Sequence, residues 1–146
     1  MITCTTSINI DKPAAEVFEF IGTDYVTNHP KWDARVISTK LQPDGPMKQG
    51  ARGVEVRKEA GRTNTFQFEV TDFTPGSKFA FKAHGGPADV TTSYTLRALT
   101  PKQTQLDIEF SMKMGGFMGL MEPLMRGGVR REFTSITTEI KRMLEA

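Results

Sequence analysis

Up to Met114 the apolar residues of this chain recur mostly at every second position, as in Phe66, Phe68 and Val70 or Leu106, Ile108, Phe110, Met112 and Met114. From Phe117 the spacing changes to three and four: Phe117, Leu120, Met121, Leu124, Met125, Val129, Phe133, Ile136, Ile140, Met143 and Leu144. A period of two puts side chains on one face of a strand, and a period near 3.6 puts them on one stripe of a helix. The pattern predicts half-buried strands followed by one long amphipathic helix over residues 117–146, about eight turns long. Val129, Phe133, Ile136 and Ile140 fall on its expected buried side. Such a stripe must be buried, and a curved sheet with one apolar face is the available partner.

Turn and capping residues divide the first part of the chain. Ile2, Cys4, Thr6, Ile8 and Ile10 alternate with polar residues and mark a first strand, which Asp11-Lys12-Pro13 stops. Pro13 at a first helical position and Glu16 in the first turn open a short helix over 13–21. Gly22 ends it, and 24–31 forms a second short helix or a turn stopped by Pro30, with Trp32 next. Six more strands are expected over 34–41, 51–59, 63–73, 78–83, 88–99 and 104–114. Pro- and Gly-rich segments separate them, among them Ala60-Gly61-Arg62. Short turns between successive strands imply an antiparallel meander.

On the third strand Val54 and Val56 read as the inner face, which places Glu55 on the outer one. The parity of the fourth strand slips between Val70 and Phe73, the mark of a bulge and strong curvature. Gln67, Glu69, Lys78, Lys82, Asp107, Glu109 and Lys113 suit a wet outer face. The class is α+β: a seven-stranded curved antiparallel sheet wrapped on a long C-terminal helix, with two short helices between strands 1 and 2.

Composition narrows the field without changing this picture. The chain has 146 residues, enough for one domain (1–146) with a real core. Nineteen basic and 17 acidic side chains leave a net charge of +2 and are well mixed, so no basic patch points to nucleic acid. No apolar run approaches the ~20 residues of a membrane span, and the first residues lack the pattern of a signal peptide. The single cysteine, Cys4, allows no internal disulfide, and a cytoplasmic location is the simplest expectation.

The order of elements resembles the helix-grip fold of the START and birch-allergen superfamily, SRPBCC. The stretch from Ile8 through Pro13, Glu16, Val17, Phe18, Phe20 and Ile21 is similar to that family's opening strand and first helix. Pro30-Lys31-Trp32 is similar to the Pro-x-Trp that closes its second helix. The run from Val70 through Pro75 to Phe79 resembles its strand–turn–strand with proline. The likeness spans the chain and is nearest the polyketide cyclase/dehydratase-like branch. It implies a cavity between sheet and long helix, and no universal catalytic motif.

Candidate site residues follow from side-chain chemistry. Five of the eight methionines (Met112, Met114, Met118, Met121 and Met125) lie where the last strand passes into the helix. Methionine suits an adaptable apolar wall, and equally fills an ordinary core. Gly115, Gly116 and Gly119 beside them fit a mobile cavity lip, whereas Gly127-Gly128 is either a hinge or a point of close packing. Trp32 reads as a structural plug, and Tyr94, on the inner face, as the better polar contact. His29 and His84 read as solvated loop histidines, and no convergent metal ligands or phosphate loop occur, so no cofactor is expected. Arg126, Arg130, Arg131 and Arg142 decorate a solvated helix face.

These observations predict a pocket lined by Trp32, Phe66, Phe68, Phe81, Tyr94, Phe110, Met112, Leu120, Met121, Leu124 and Met125, holding a small hydrophobic molecule. The alternatives are a cyclase/dehydratase-like enzyme using Tyr94 or His84 as acid/base, and a module that docks a quinone-bearing or protein partner. A monomer or homodimer without nucleic-acid or membrane insertion is expected in each case.

Overall fold

The computed structural model describes residues 1–59 and 61–146; Ala60, expected in the turn before the fourth strand, lies outside the described residues. The strands are β1 (Ile2–Ile10), β2 (Val36–Leu41), β3 (Arg52–Glu59), β4 (Arg62–Thr74), β5 (Lys78–Gly85), β6 (Ala88–Thr100) and β7 (Gln103–Met114). All pair antiparallel in the order β1-β7-β6-β5-β4-β3-β2, a meander whose last strand is flanked by the first. The expected bulge is present, with the β4–β5 register shifting between Val70 and Asp72.

Between β1 and β2 lie α1 (Ala14–Phe18), a single π turn (Glu19–Thr23) and α2 (Tyr25–Trp32). Pro30 does not stop α2: it sits in the final turn, and the helix continues to Trp32. Val17, Phe18, Ile21 and Tyr25 are buried with Phe79, Tyr94, Leu106 and Ile108 in the core.

The terminal helix is shorter than its apolar period implies. A 3₁₀ segment (Gly116–Met121) precedes α3 (Glu122–Glu145). Gly116 has φ +60°, which a side chain would oppose, and Pro123 sets the first turn of α3. The stripe is buried only toward the C-terminus, at Ile136 and Ile140, while Val129 and Phe133 are half-buried. Phe117, Leu120 and Leu124 are 77%, 74% and 78% exposed, contrary to the expectation of a stripe buried along its length. Polar contacts tie α3 to β1 at both ends: at its start the N-terminal ammonium of Met1 donates to the buried Glu122 at 2.9 Å. Thr137 Oγ1 meets Thr6 Oγ1 at 2.7 Å, Lys141 Nζ donates to the Asn9 carbonyl, and the Asp11 amide donates to Glu145. The C-terminal half of α3 packs into the core through Ile136 and Ile140, and the N-terminal half, from Met125 to Phe133, roofs a space.

Candidate functional site

Register across the sheet shows which residues lie beneath that space. Gly53 pairs with Phe68, Phe68 with Ala83, Ala83 with Val90, and Val90 with Met112, so one inward row alternates small and large residues at its β3 end and carries Ala83 at its centre. Phe68 leans over β3, where a Cβ on Gly53 would lie 2.4 Å from its ring; Phe66 leans likewise over Gly85 at 2.6 Å. These rings fill the room over the two glycines, and the space that remains lies beside Phe66, over Ala83, Val90 and Met112. The result is a cavity of about 330 Å³.

Its apolar wall comes from Phe66, Phe81, Val90, Phe110 and Met112 on the sheet and from Met125, Val129 and Phe133 on α3. Phe110 and Phe133 meet across it with ring centroids 4.4 Å apart. Trp32 and Tyr94 also line the cavity, and both are buried. The Trp32 indole N–H has no hydrogen-bond partner among the described residues. Phe68 lies behind the wall, packed edge-on against Tyr25 and Phe81. Leu120, Met121 and Leu124 lie outside this cavity, on the exposed 3₁₀ segment and first turn of α3.

The other end of the cavity is charged. His29, Asp33, Arg35, Glu55, Arg57, Glu59 and Glu132 line it. Two expectations from the sequence are corrected here. Glu55 faces inward, because β3 pairs it directly with Phe66 and paired residues share a face. His29 is buried and helical rather than solvated, stacked on Tyr25 four residues earlier at 4.5 Å. The elements packed around these residues make their burial tolerable. His29 Nδ1 lies 2.6 Å from Glu55 Oε1 in a bent contact, and Thr39 Oγ1 donates to the same oxygen at 3.1 Å.

Arg57 is the hub of the cluster. Its guanidinium reaches Asp33 at 3.0 Å, Glu55 at 3.1 Å, Glu59 at 2.6 Å and Glu132 at 3.3 Å, while Arg35 takes the other oxygen of Glu132 at 2.6 Å. Burial works against the Arg57 charge, but Asp33, Glu55 and Glu59 outweigh it and hold the group more firmly protonated than usual. Burial likewise pushes the Glu55 carboxyl up, and His29 and Arg57 more than offset it, holding the group below its ordinary value. Glu132 goes the other way: burial and then Asp33 raise it, against Arg35 and Arg57. Burial, with Asp33 and Glu55 nearby, drives the Tyr94 phenol well above its ordinary range, so it stays a neutral donor.

The cavity opens between the end of α2 and α3. A polar groove there shares Trp32, Asp33, Arg35, Gly128, Glu132 and Ile136 with it. Gly127 and Gly128 are not points of close packing, since a Cβ on either would meet only the tip of Arg131, at 3.5 and 4.0 Å. His84 is far from this chemistry in kind: exposed, paired with Asp89 at 2.6 Å. A larger depression of about 510 Å³ includes it, lined chiefly by surface side chains such as the Arg52–Glu69–Lys82 ion pairs. Those groups are solvated and already paired, so the enclosed cavity is the better site.

An antiparallel sheet gripping a terminal helix over an enclosed cavity is the helix-grip architecture. A family model described as "Polyketide cyclase / dehydrase and lipid transport" matches residues 1–145, and the chain belongs to that family. Among solved structures, Zhui aromatase/cyclase from Streptomyces sp. R1128 is 16% identical, with a TM-score of 0.78 over 98% of this chain and 93% of that one. Ara h 8.0201 is 16% identical, with a TM-score of 0.74 over 97% and 96%. A START superfamily protein from Mycobacterium smegmatis is 11% identical, with a TM-score of 0.71 over 97% and 98%. At these identities the likeness is one of fold. No curated protein matches the chain in sequence. No helix among the described residues is long and apolar enough to cross a membrane.

Proposed function

We propose that this protein binds and carries a small, mainly hydrophobic molecule in the cavity beneath the N-terminal half of α3. The observation that carries this is the cavity itself: about 330 Å³, apolar on the sheet side, and near the lower end of the roughly 300–1,000 Å³ typical of small-molecule sites. Trp32 adds, at the same wall, a buried donor without a partner among the described residues. A buried N–H left unpaired costs about 1–3 kcal/mol, which a ligand acceptor or a water would offset. Trp32, Phe66, Phe81, Tyr94, Phe110, Met112 and Met125 are proposed as contacts, with Phe68 as support behind them. Titration with apolar fluorescent probes, followed through probe emission and the single Trp32, tests this. Saturable binding of one probe per chain is expected; failure of every probe to bind overturns it.

A second reading has its own observation. The buried His29–Glu55 contact lies at the cavity beside Tyr94, an arrangement suited to moving a proton on a bound molecule. Under this reading the protein is a cyclase- or dehydratase-type enzyme, with His29 taking the place that sequence alone offered to His84. Turnover of a cyclisable substrate that is lost in both His29→Asn and Tyr94→Phe, with folding intact, would support it.

A further inference from the structure

Resting on the carrier reading, we infer that the cavity selects amphipathic molecules whose polar end is a hydrogen-bond-donating, non-anionic group, an amine or a hydroxyl, and disfavours carboxylates. The charged end of the cavity decides this. Asp33, Glu55, Glu59 and Glu132 face only two guanidinium groups, those of Arg35 and Arg57. Protonation of His29 still leaves one carboxylate in excess. Lys31 and Arg131 stand at the groove outside and are exposed, so water and salt screen them.

Saturation matters as much as the count. Each nitrogen of the buried Arg57 guanidinium already has a carboxylate partner, within 2.6 to 3.3 Å. An incoming carboxylate would find at most one N–H free, on Nη2 of Arg57, and would otherwise displace a partner; Asp33 or Glu55 so displaced would stay buried without its cation. The free nitrogens of Arg35 belong to a side chain that is half exposed at the mouth, where water and salt screen it. Carboxylate oxygens, by contrast, each offer two lone pairs and can accept a further donor without releasing Arg57. The upward push on Glu132 from burial and from Asp33 fits a cluster short of positive charge, which a cation at the mouth would relieve. The Trp32 indole N–H, a buried donor without a partner among the described residues, is neutral and suits a hydroxyl or carbonyl oxygen.

Matched-chain competition provides the test. Decylamine, decanol and decanoate would each be titrated against a bound apolar fluorescent probe at pH 7. Decylamine is expected to compete about tenfold or more better than decanoate, with decanol between them, a tenfold ratio being about 1.4 kcal/mol. Glu132→Gln should narrow the amine-to-carboxylate ratio, and Glu59→Gln, at the more exposed partner of Arg57, should narrow it too if Glu132→Gln does not fold. Equal or tighter binding of decanoate, or a ratio unmoved in folded variants, would overturn the inference while leaving the carrier reading intact. Binding of none of the three, nor of the probe, would overturn both.

Discussion

Replacing Glu55 by glutamine asks how much the buried charge cluster stabilises the fold. The carboxylate contacts His29 and Arg57 at 2.6 and 3.1 Å and accepts a hydrogen bond from Thr39. Glutamine is nearly isosteric and keeps one acceptor, so the change removes charge rather than volume. Hydrogen bonds to charged groups contribute about 1.5–3 kcal/mol each. The one from Arg57 is weakened together with the short ionic contact to His29, and relief of repulsion with Asp33, which shares Nη1 of Arg57, returns part of the loss. The net expectation is a loss of about 2–4 kcal/mol at pH 7, or a fall in melting temperature of roughly 6–12 °C for a chain of this length.

The pH dependence carries the sharper prediction. Because the folded-state pKa of Glu55 lies below its ordinary value, the unfolded chain binds the proton more readily. The stabilisation is therefore fully present above the usual carboxylate range and disappears as pH falls through the lowered folded value. Urea denaturation of wild type and Glu55→Gln, at neutral pH and again in the acid range, should show the gap closing on acidification. A gap that is absent at pH 7, or equally large throughout, would refute the placement of Glu55 as a buried, stabilised carboxylate.

Two further predictions concern α3. Ile136→Ala should cost about 2–5 kcal/mol, as large-to-small changes at buried positions do, whereas Leu124→Ser, at a 78% exposed position, should stay within about 0.5 kcal/mol; chemical denaturation separates them. Gly127→Ala should raise stability by about 0.5–1 kcal/mol, since the added methyl meets only the tip of Arg131, and a loss instead would restore the idea of close packing there.

The architecture was legible because it rests on periodicity. Alternation located all seven strands, and the parity slip after Val70 located the bulge. The helical stripe located α3 but overextended it, since period alone does not register that Gly116 and Pro123 reset the backbone before the helix begins. The polar end of the site was missed for a different reason. On β3 the inward residues are Gly53, Glu55 and Arg57, and the valines between them lie on the other face. Charges can occupy an inner face when partners from α2 and α3 arrive to meet them, and those partners are distant in sequence. A usable signal existed nonetheless: counting back through the hairpin from the Glu59–Arg62 pair sets Glu55 opposite Phe66, and hence on the aromatic face. For His29 the signal was the four-residue spacing of Tyr25, His29 and Asp33, one face of a helix rather than a loop.

Two adjacent positions on α3 give the most direct test of the cavity as a binding site. Met125 lines it, while Leu124 points to solvent, so the same bulky substitution should impair binding at the first position and not at the second. Binding of an apolar fluorescent probe would be titrated in wild type, Met125→Trp and Leu124→Trp, each checked for folding by circular dichroism. Met125→Trp is expected to fill the space and weaken binding by about tenfold or more, and Leu124→Trp to leave the affinity within about twofold of wild type. Unchanged binding in a folded Met125→Trp, or loss confined to Leu124→Trp, would place the binding surface outside the cavity and contradict the proposed function.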